Sequence, residues 1–306
     1  MFLNFVFFKK NLYLTLFLGA FSMINGMPSK NERFYSKVII PFFNAVKKDD
    51  IDKVMSFVDK DPTLINFLFE IENHIYNGET PLIIAAQDGL FDMAEFLIGK
   101  GANVDYAGKD GTPLICAARM RTNNTYNERV KIIKLLIDNN ANPNIQDKSK
   151  DTALTHAAGQ KEIVEELLEN NDIDLNIKNK YGDTALNIAA SYGSETVVLL
   201  VNKDNGASIN IANREGKTPI YQAVDDLCHW IHIKDARHSG KRVVKFLLEN
   251  GADFNIKDNE GHTPLDWIVL SINITAKFNN LKKEVEYLKK IHQWFISAIK
   301  KSILNN

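Results

Sequence analysis

Blocks of apolar residues at helical steps recur along the chain, separated by polar stretches rich in Asn, Asp and Gly. Met93, Ala94, Phe96 and Leu97 form one block, and Ile132, Ile133, Leu135 and Leu136 a second. Ile163, Val164, Leu167 and Leu168 follow, then Val197 to Leu200, then Val243, Val244, Phe246 and Leu247. Each predicts a helix that is apolar along one face. Each ends near Gly101, Asn140, Asn171, Gly206 or Gly251, residue types suited to a left-handed C-terminal cap. Ahead of each block the pattern predicts a shorter helix carrying two small residues: Ala85-Ala86, Ala117-Ala118, Ala157-Ala158 and Ala189-Ala190. Small residues let a neighbouring helix pack closely. The pair becomes Ala223-Val224 and then Ile268-Val269 further along.

The polar stretches repeat as well. Read from an asparagine, they run Asn-Ile-x-Asp/Asn-x-x-Gly-x-Thr: Asn144 to Thr152, Asn176 to Thr184, Asn210 to Thr218 and Asn255 to Thr263. The fourth position holds Asp147, Asn179, Asn213 or Asp258, and the seventh holds Gly182, Gly216 or Gly261, with Lys150 in the first copy. Asp and Asn side chains bond their own backbone, and Gly accepts positive φ, so the stretch predicts a tight hairpin-like loop. The closing Thr recurs at 80, 112, 152, 184, 218 and 263, at intervals of 32, 40, 32, 34 and 45. A base period near 33 with two longer units is a repeat architecture. Thr predicts an N-cap. Pro81, Pro113, Pro219 and Pro264 stand at the first helical position, where a missing N–H costs nothing.

The chain resembles the ankyrin repeat family. Gly78-Glu79-Thr80-Pro81-Leu82-Ile83-Ile84-Ala85-Ala86 matches the family's opening, and Gly251-Ala252-Asp253-Phe254-Asn255 its close. The resemblance implies an all-α solenoid of stacked helix–loop–helix units with hairpin loops. Its repeats are placed at 37–77 (a degenerate first unit), 78–109, 110–149, 150–181, 182–215, 216–260 and 261–277. The family's His after Pro-Leu is replaced throughout by Ile83, Ile115, Thr155, Asn187, Tyr221 and Asp266. That His ties adjacent hairpins in the family, so the bonds between repeats here must come from elsewhere or be lost.

Residues 278–306 predict a C-terminal capping helix. Leu281, Val285, Leu288, Ile291, Phe295 and Ile299 share one face, and lysines occupy much of the rest. A solenoid needs such a closing unit. A basic helix on a membrane surface is the alternative reading. Two units carry insertions. Residues 121–127 read as a loop, and 227–240 as an extended first helix followed by a loop. Before the repeats, Lys9-Lys10 and the apolar run Leu12 to Ile24 read as a signal peptide within residues 1–26, since the run falls short of the ~20 residues of a membrane span. Export to a secreted or periplasmic location is expected. An uncleaved anchor formed by residues 1–24 is the alternative.

Composition narrows the function. The 306 residues are 45% hydrophobic and 25% charged with net charge -1, which gives no reason to expect nucleic acid or an anionic membrane as the main partner, and no stable membrane insertion is expected once the signal is cleaved. Two cysteines, Cys116 and Cys228, exclude a disulfide framework. They lie three units apart, on the order of 30 Å at ~10 Å per stacked helix, against the about 7 Å a bridge needs. The one cluster worth a metal test is Cys228, His229, His232 and His238, but its spacing fits none of the paired zinc patterns. No cofactor, no metal and no catalytic constellation is expected, and the chain is not read as an enzyme. A monomer that binds a protein partner is expected. The family uses its concave hairpin and first-helix surface for this. The matching positions here include Tyr181, Tyr192, Arg119 and Arg214, then Lys148, Asp151, Asp183, Lys217 and His262. Tyr and Arg dominate interface hot spots.

Overall fold

The computed structural model describes residues 34–69, 77–119, 126–192, 195–229, 234–277 and 282–304, with no side chains described at 234–239, 298 and 301–304. The expected signal peptide, most of the 121–127 insertion, His232 and the His238 side chain lie outside this set. The chain divides into two compact units, Met1–Pro113 and Leu114–Asn306.

In the first unit a π-helical turn, Tyr35–Ile39, runs into α1 (Ile40–Lys47), which turns into α2 (Ile51–Val58). Asp50 caps α2 by accepting from the Lys53 amide at 3.1 Å. A 3-10 turn, Pro62–Asn66, closes this degenerate repeat, and α3 (Pro81–Asp88) and α4 (Phe91–Gly99) form the next. First helix packs on first helix (α1 on α3) and second on second (α2 on α4). Phe42, Val54, Leu64, Phe69, Leu82, Ile83, Met93 and Leu97 are each at most 1% exposed. At ~1.5–3 kcal/mol per buried large side chain, this interior holds the unit together. The enlarged first hairpin closes on an antiparallel bridge between Phe69 and Glu79.

Helix α5 (Pro113–Ala118) leads into the second unit. There α6 (Tyr126–Asp138), α8 (Lys161–Leu168) and α10 (Thr196–Lys203) stack as second helices. Helices α7 (Ala153–Ala157), α9 (Ala185–Ser191), α11 (Pro219–His229) and α13 (Pro264–Thr275) stack as first helices. The small-residue pairs sit at these contacts: Ala157, Ala158, Ala189 and Ala190 are at most 1% exposed. Helix α12 (Lys234–Glu249) covers α11, and α14 (Lys282–Leu304) packs on α12 and α13. The architecture is all-α, an ankyrin-type solenoid. Leu288, Ile291, Phe295 and Ile299 turn α14's apolar stripe inward, each under 10% exposed.

Of the 227–240 insertion, residues 227–229 end α11 and residues 230–233 lie outside the described set. Residues 234–240 form the first turns of α12, which is 16 residues long where α8 and α10 have 8. Gly240 lets it lie close over α11, because a Cβ there would stand 3.2 Å from the Leu227 side chain.

Most helix ends obey the expected caps, but the hydroxyl of Thr218, expected to cap α11, is buried without a hydrogen-bond partner. Thr80, Thr152, Thr184 and Thr263 accept from the amide three residues on. Gly101, Asn140, Gly206 and Gly251 take positive φ, but Asn171 does not.

Candidate interaction surface

The hairpins of the second unit are built by one side chain each, the residue at the fourth motif position. Asp147 Oδ1 accepts from the amides of Ser149 and Asp151, at 2.7 and 3.0 Å. Asn179 Oδ1 does the same for Tyr181 and Asp183, Asn213 for Glu215 and Lys217, and Asp258 for Glu260 and His262, all at 2.9–3.0 Å. The Asx loop expected from the sequence is therefore repeated four times.

Neighbouring hairpins are tied together without the family histidine. The amides of Lys180, Arg214 and Asn259 donate to the carbonyls of Ser149, Tyr181 and Glu215, at 2.9–3.0 Å. Side chains add a second tie whose form depends on the fourth residue. Where it is an amide, it donates to the aspartate closing the preceding hairpin: Asn179 to Asp151 at 3.0 Å and Asn213 to Asp183 at 2.8 Å. Where it is a carboxylate, it accepts from the preceding first helix or the segment just after it: Asp147 from Arg119 at 3.0 Å and Asp258 from Tyr221 at 2.6 Å. Tyr221 occupies the family's His position. Asn187, at the same position one repeat earlier, donates to the carbonyls of Ile211 and Lys217. Thr155, Asn187 and Asp266 also close capping boxes with Thr152, Thr184 and Thr263. The bonds the sequence placed in question are thus supplied by Tyr221 and Asn187 at that position and, elsewhere, by Arg119, the fourth-position asparagines and backbone amides.

These roles sort the candidate binding residues. Tyr181, at a hairpin tip, is 59% exposed, and Tyr192, capping α9, is 64% exposed. Lys180 Nζ stands 4.9 Å from the Tyr181 ring centre. Arg214 and Lys148 are exposed at the tips. Five others are engaged in the framework. Arg119 holds Asp147, and Asp151 and Asp183 take the amides already named. Lys217 Nζ bonds Asp225 and Glu215, both at 3.0 Å. His262 gives its amide to Asp258, with Nδ1 3.8 Å from that carboxylate.

The electrostatics follow. Burial acts to raise the Asp147 carboxyl, but bonds from His156, the Asp151 and Ser149 amides and Arg119 outweigh it and hold it below the usual carboxylate range. Asp258 is likewise held low against burial by Tyr221 and the His262 and Glu260 amides. Asp183 goes the other way: burial, then the nearby Glu215 and Asp151 charges, push it up despite Asn213. Burial would depress Lys217, but Asp225 and Glu215 raise it.

Two clusters bear on metals. In the expected one, burial pushes the Cys228 thiol up to about 12, so it is protonated at neutral pH. His229 is exposed at the end of α11. A second cluster went unread in the sequence: Asp147, Asp151 and His156 place one donor atom each within 4.8 Å of one another. Its donors are already engaged. Asp147 Oδ2 takes Arg119 and His156, at 3.0 and 2.9 Å, and Asp151 takes Asn179. A cationic guanidinium inside the cluster opposes a second cation.

Other residues that shape this surface also escaped the sequence reading. Gln160 donates to the Ala118 carbonyl at 2.8 Å, Thr196 to that of Ala158, and buried Arg129 to those of Ala117 and Arg119. Each closes the C-terminus of a first helix from a second helix or its cap. For the amide clamps a signal existed: an Asp at the eighth motif position precedes an Asn at the fourth position of the next copy, 28 or 30 residues on.

Comparison with known proteins agrees with this architecture. Family models of ankyrin repeats in three copies match residues 42–147, 124–213 and 171–235, and the single ankyrin repeat matches 215–259. An ankyrin repeat and KH domain-containing protein of Caenorhabditis briggsae is 35% identical over 104 residues, 32% of this chain and 4% of its own length. An ankyrin repeat, SAM and basic leucine zipper domain-containing protein of Atelerix albiventris is 31% identical over 125 residues, 40% of this chain and 24% of its own. The chain thus spans under a quarter of these relatives. A crystal structure of an ankyrin repeat protein superposes with TM-score 0.53 at 28% identity, covering 68% of this chain and 96% of the other. An ankyrin repeat domain from Acinetobacter baumannii gives 0.53 at 25%, covering 70% and 97%. The repeated hairpins, the paired helices and these matches together place the chain in the ankyrin repeat family.

Proposed function

We propose that this chain is an exported scaffold that captures a protein partner on the hairpin and first-helix side of its second unit, centred on Tyr181 and Tyr192. Ankyrin repeat domains generally mediate protein–protein interaction. The observation that carries the choice of surface is the exposure of two tyrosines from adjacent repeats, at 59% and 64%. Large rigid aromatic rings are the residues whose burial anchors an interface. Arg214 and Lys148 flank them at the tips, while the inter-hairpin bonds fix the backbone beneath and lower the ordering cost of binding. The pattern of residues 1–26 supports export.

The test is affinity capture with the purified chain and a Tyr181→Ala, Tyr192→Ala, Arg214→Ala variant, followed by affinity measurement on the recovered partner. A loss of at least tenfold is expected. Substituting Glu165 and Lys131 on the second helices should leave affinity unchanged. Equal affinity of the triple variant and the parent would reject this surface. N-terminal sequencing of the mature protein tests export, with a start near Met23 or Met27 expected.

A further inference from the structure

We infer that the outer face of α14 is a docking surface for anionic phospholipid membranes, held by charge alone. The helix carries six lysines against two glutamates, whereas the whole chain is at -1. The rest of the chain is therefore acidic, and positive charge is concentrated on the closing helix.

Helical geometry aligns that charge. At 100° per residue, Lys282, Lys283, Lys289, Lys290 and Lys300 fall within about a third of the helix circumference. This arc lies opposite Leu288, Ile291, Phe295 and Ile299, which are buried against the solenoid. All five lysines are exposed. From Lys282 to Lys300 the face runs about 27 Å at ~1.5 Å per residue. Only Glu286 interrupts it, 3.4 Å from Lys289. Lys282, Lys283 and Lys290 line one open hollow of about 390 Å³ with Glu286 and Tyr287. Helix α12 adds one cation at the edge of the patch: Lys241 Nζ stands 4.9 Å over the Trp294 ring.

The chemistry of the face selects the occupant. Protein interfaces are depleted in Lys and anchored by aromatics and Arg, and the α14 arc holds Lys, Gln293 and Ser297 instead. Nucleic acid is gripped by the bidentate forks of arginine, and α14 holds no arginine. Lysine ammoniums are point charges without fixed directional demands. They suit a fluid surface whose headgroups rearrange around them. Because the apolar stripe is buried in the protein, no side chain of that face is left to insert, so the attraction is peripheral and screened by salt.

The test is co-sedimentation of the full chain with phosphatidylcholine vesicles, with and without about 30% phosphatidylserine, an anionic lipid of the kind that recruits polybasic segments. Retention on the anionic vesicles is expected, with little on neutral ones and at least a tenfold drop when salt rises from about 0.05 to 0.5 M. A Lys282→Glu, Lys289→Glu, Lys300→Glu variant should lose at least tenfold with its thermal unfolding unchanged. The Lys→Gln version of the same three, a milder change to the fold, should lose severalfold. Equal retention on neutral vesicles would place the attraction in the apolar segment 12–24 and overturn the inference. So would full retention by both variants, absence of binding to anionic vesicles, or tighter binding to duplex DNA at the same salt.

Discussion

At the scale of single residues, the hairpins expose where the sequence obeys its own repeat and where it does not. The seventh motif position takes φ of 83°, 80° and 87° in Gly182, Gly216 and Gly261. Glycine is needed at the first two for a second reason, contact with the next hairpin. A Cβ on Gly182 would lie 2.6 Å from the Arg214 amide nitrogen, and one on Gly216 2.9 Å from that of Asn259. Lys150 holds the equivalent place in the first copy at φ 60°. A side chain in that left-handed conformation costs ~1–2 kcal/mol, partly offset by the smaller entropy lysine loses on folding relative to glycine. Lys150→Gly is therefore expected to stabilise the chain by up to about 1 kcal/mol. Gly182→Ala, which meets both the strain and the backbone of Arg214, should destabilise by about 2 kcal/mol or more. Equilibrium urea unfolding of the two variants checks the opposed signs.

At the scale of the element, each hairpin is an acid-base device as well as a turn. Asp147 is held below the usual carboxylate range, so its contribution to stability is fully present above the unfolded value near 3.8 and is lost as pH falls through the lower folded value. Asp183 is raised, so its charge opposes the fold at neutral pH and protonation relieves it. Asn can still accept the loop amides through Oδ1, as Asn179 and Asn213 do. Asp147→Asn, however, turns an amide donor toward Arg119 and His156. It should cost about 2 kcal/mol at pH 7, with the difference from the parent shrinking below pH 4. Asp183→Asn keeps the acceptor for Asn213 without the charge and should change stability by less than about 0.5 kcal/mol, or raise it. Unfolding curves from pH 7 to 3 read both. The loop itself was legible in the sequence because Asp, Asn and Gly act on their own backbone. The ties between loops were not, because a bond such as Tyr221 to Asp258 joins residues 37 apart and depends on how the helices stack. The helical turns at 234–240 were not legible for a related reason: α12 packs on α11, a contact that local composition does not display. Among the binding candidates, exposure was the unreadable quantity, and it separates Tyr181 and Tyr192 from Asp151, Asp183 and Lys217.

At the scale of the molecule, a stack of repeats has no natural end, and each inner face exposed at a terminus must be covered or it recruits another chain. In the second unit α14 supplies that cover. It does so with a helix that reads as two independent surfaces, apolar toward α12 and α13 and cationic toward water. The two can be separated by experiment because they lie on opposite sides. Charge reversal on the outer arc leaves the packing untouched. Removing residues 278–306 instead uncovers the ground on which Leu288, Ile291, Phe295 and Ile299 rest, four large side chains worth together roughly 6–12 kcal/mol as an upper bound on burial. Stability in such a stack is a sum of nearest-neighbour terms, so the loss should fall first on α12 and α13 and fade along the stack. The shortened chain is expected to lose amide-exchange protection in α12 and α13 while retaining it in α8 and α9, and to self-associate as concentration rises. Uniform loss of protection across α6 to α13 would show that the closing helix stabilises the second unit as one cooperative block.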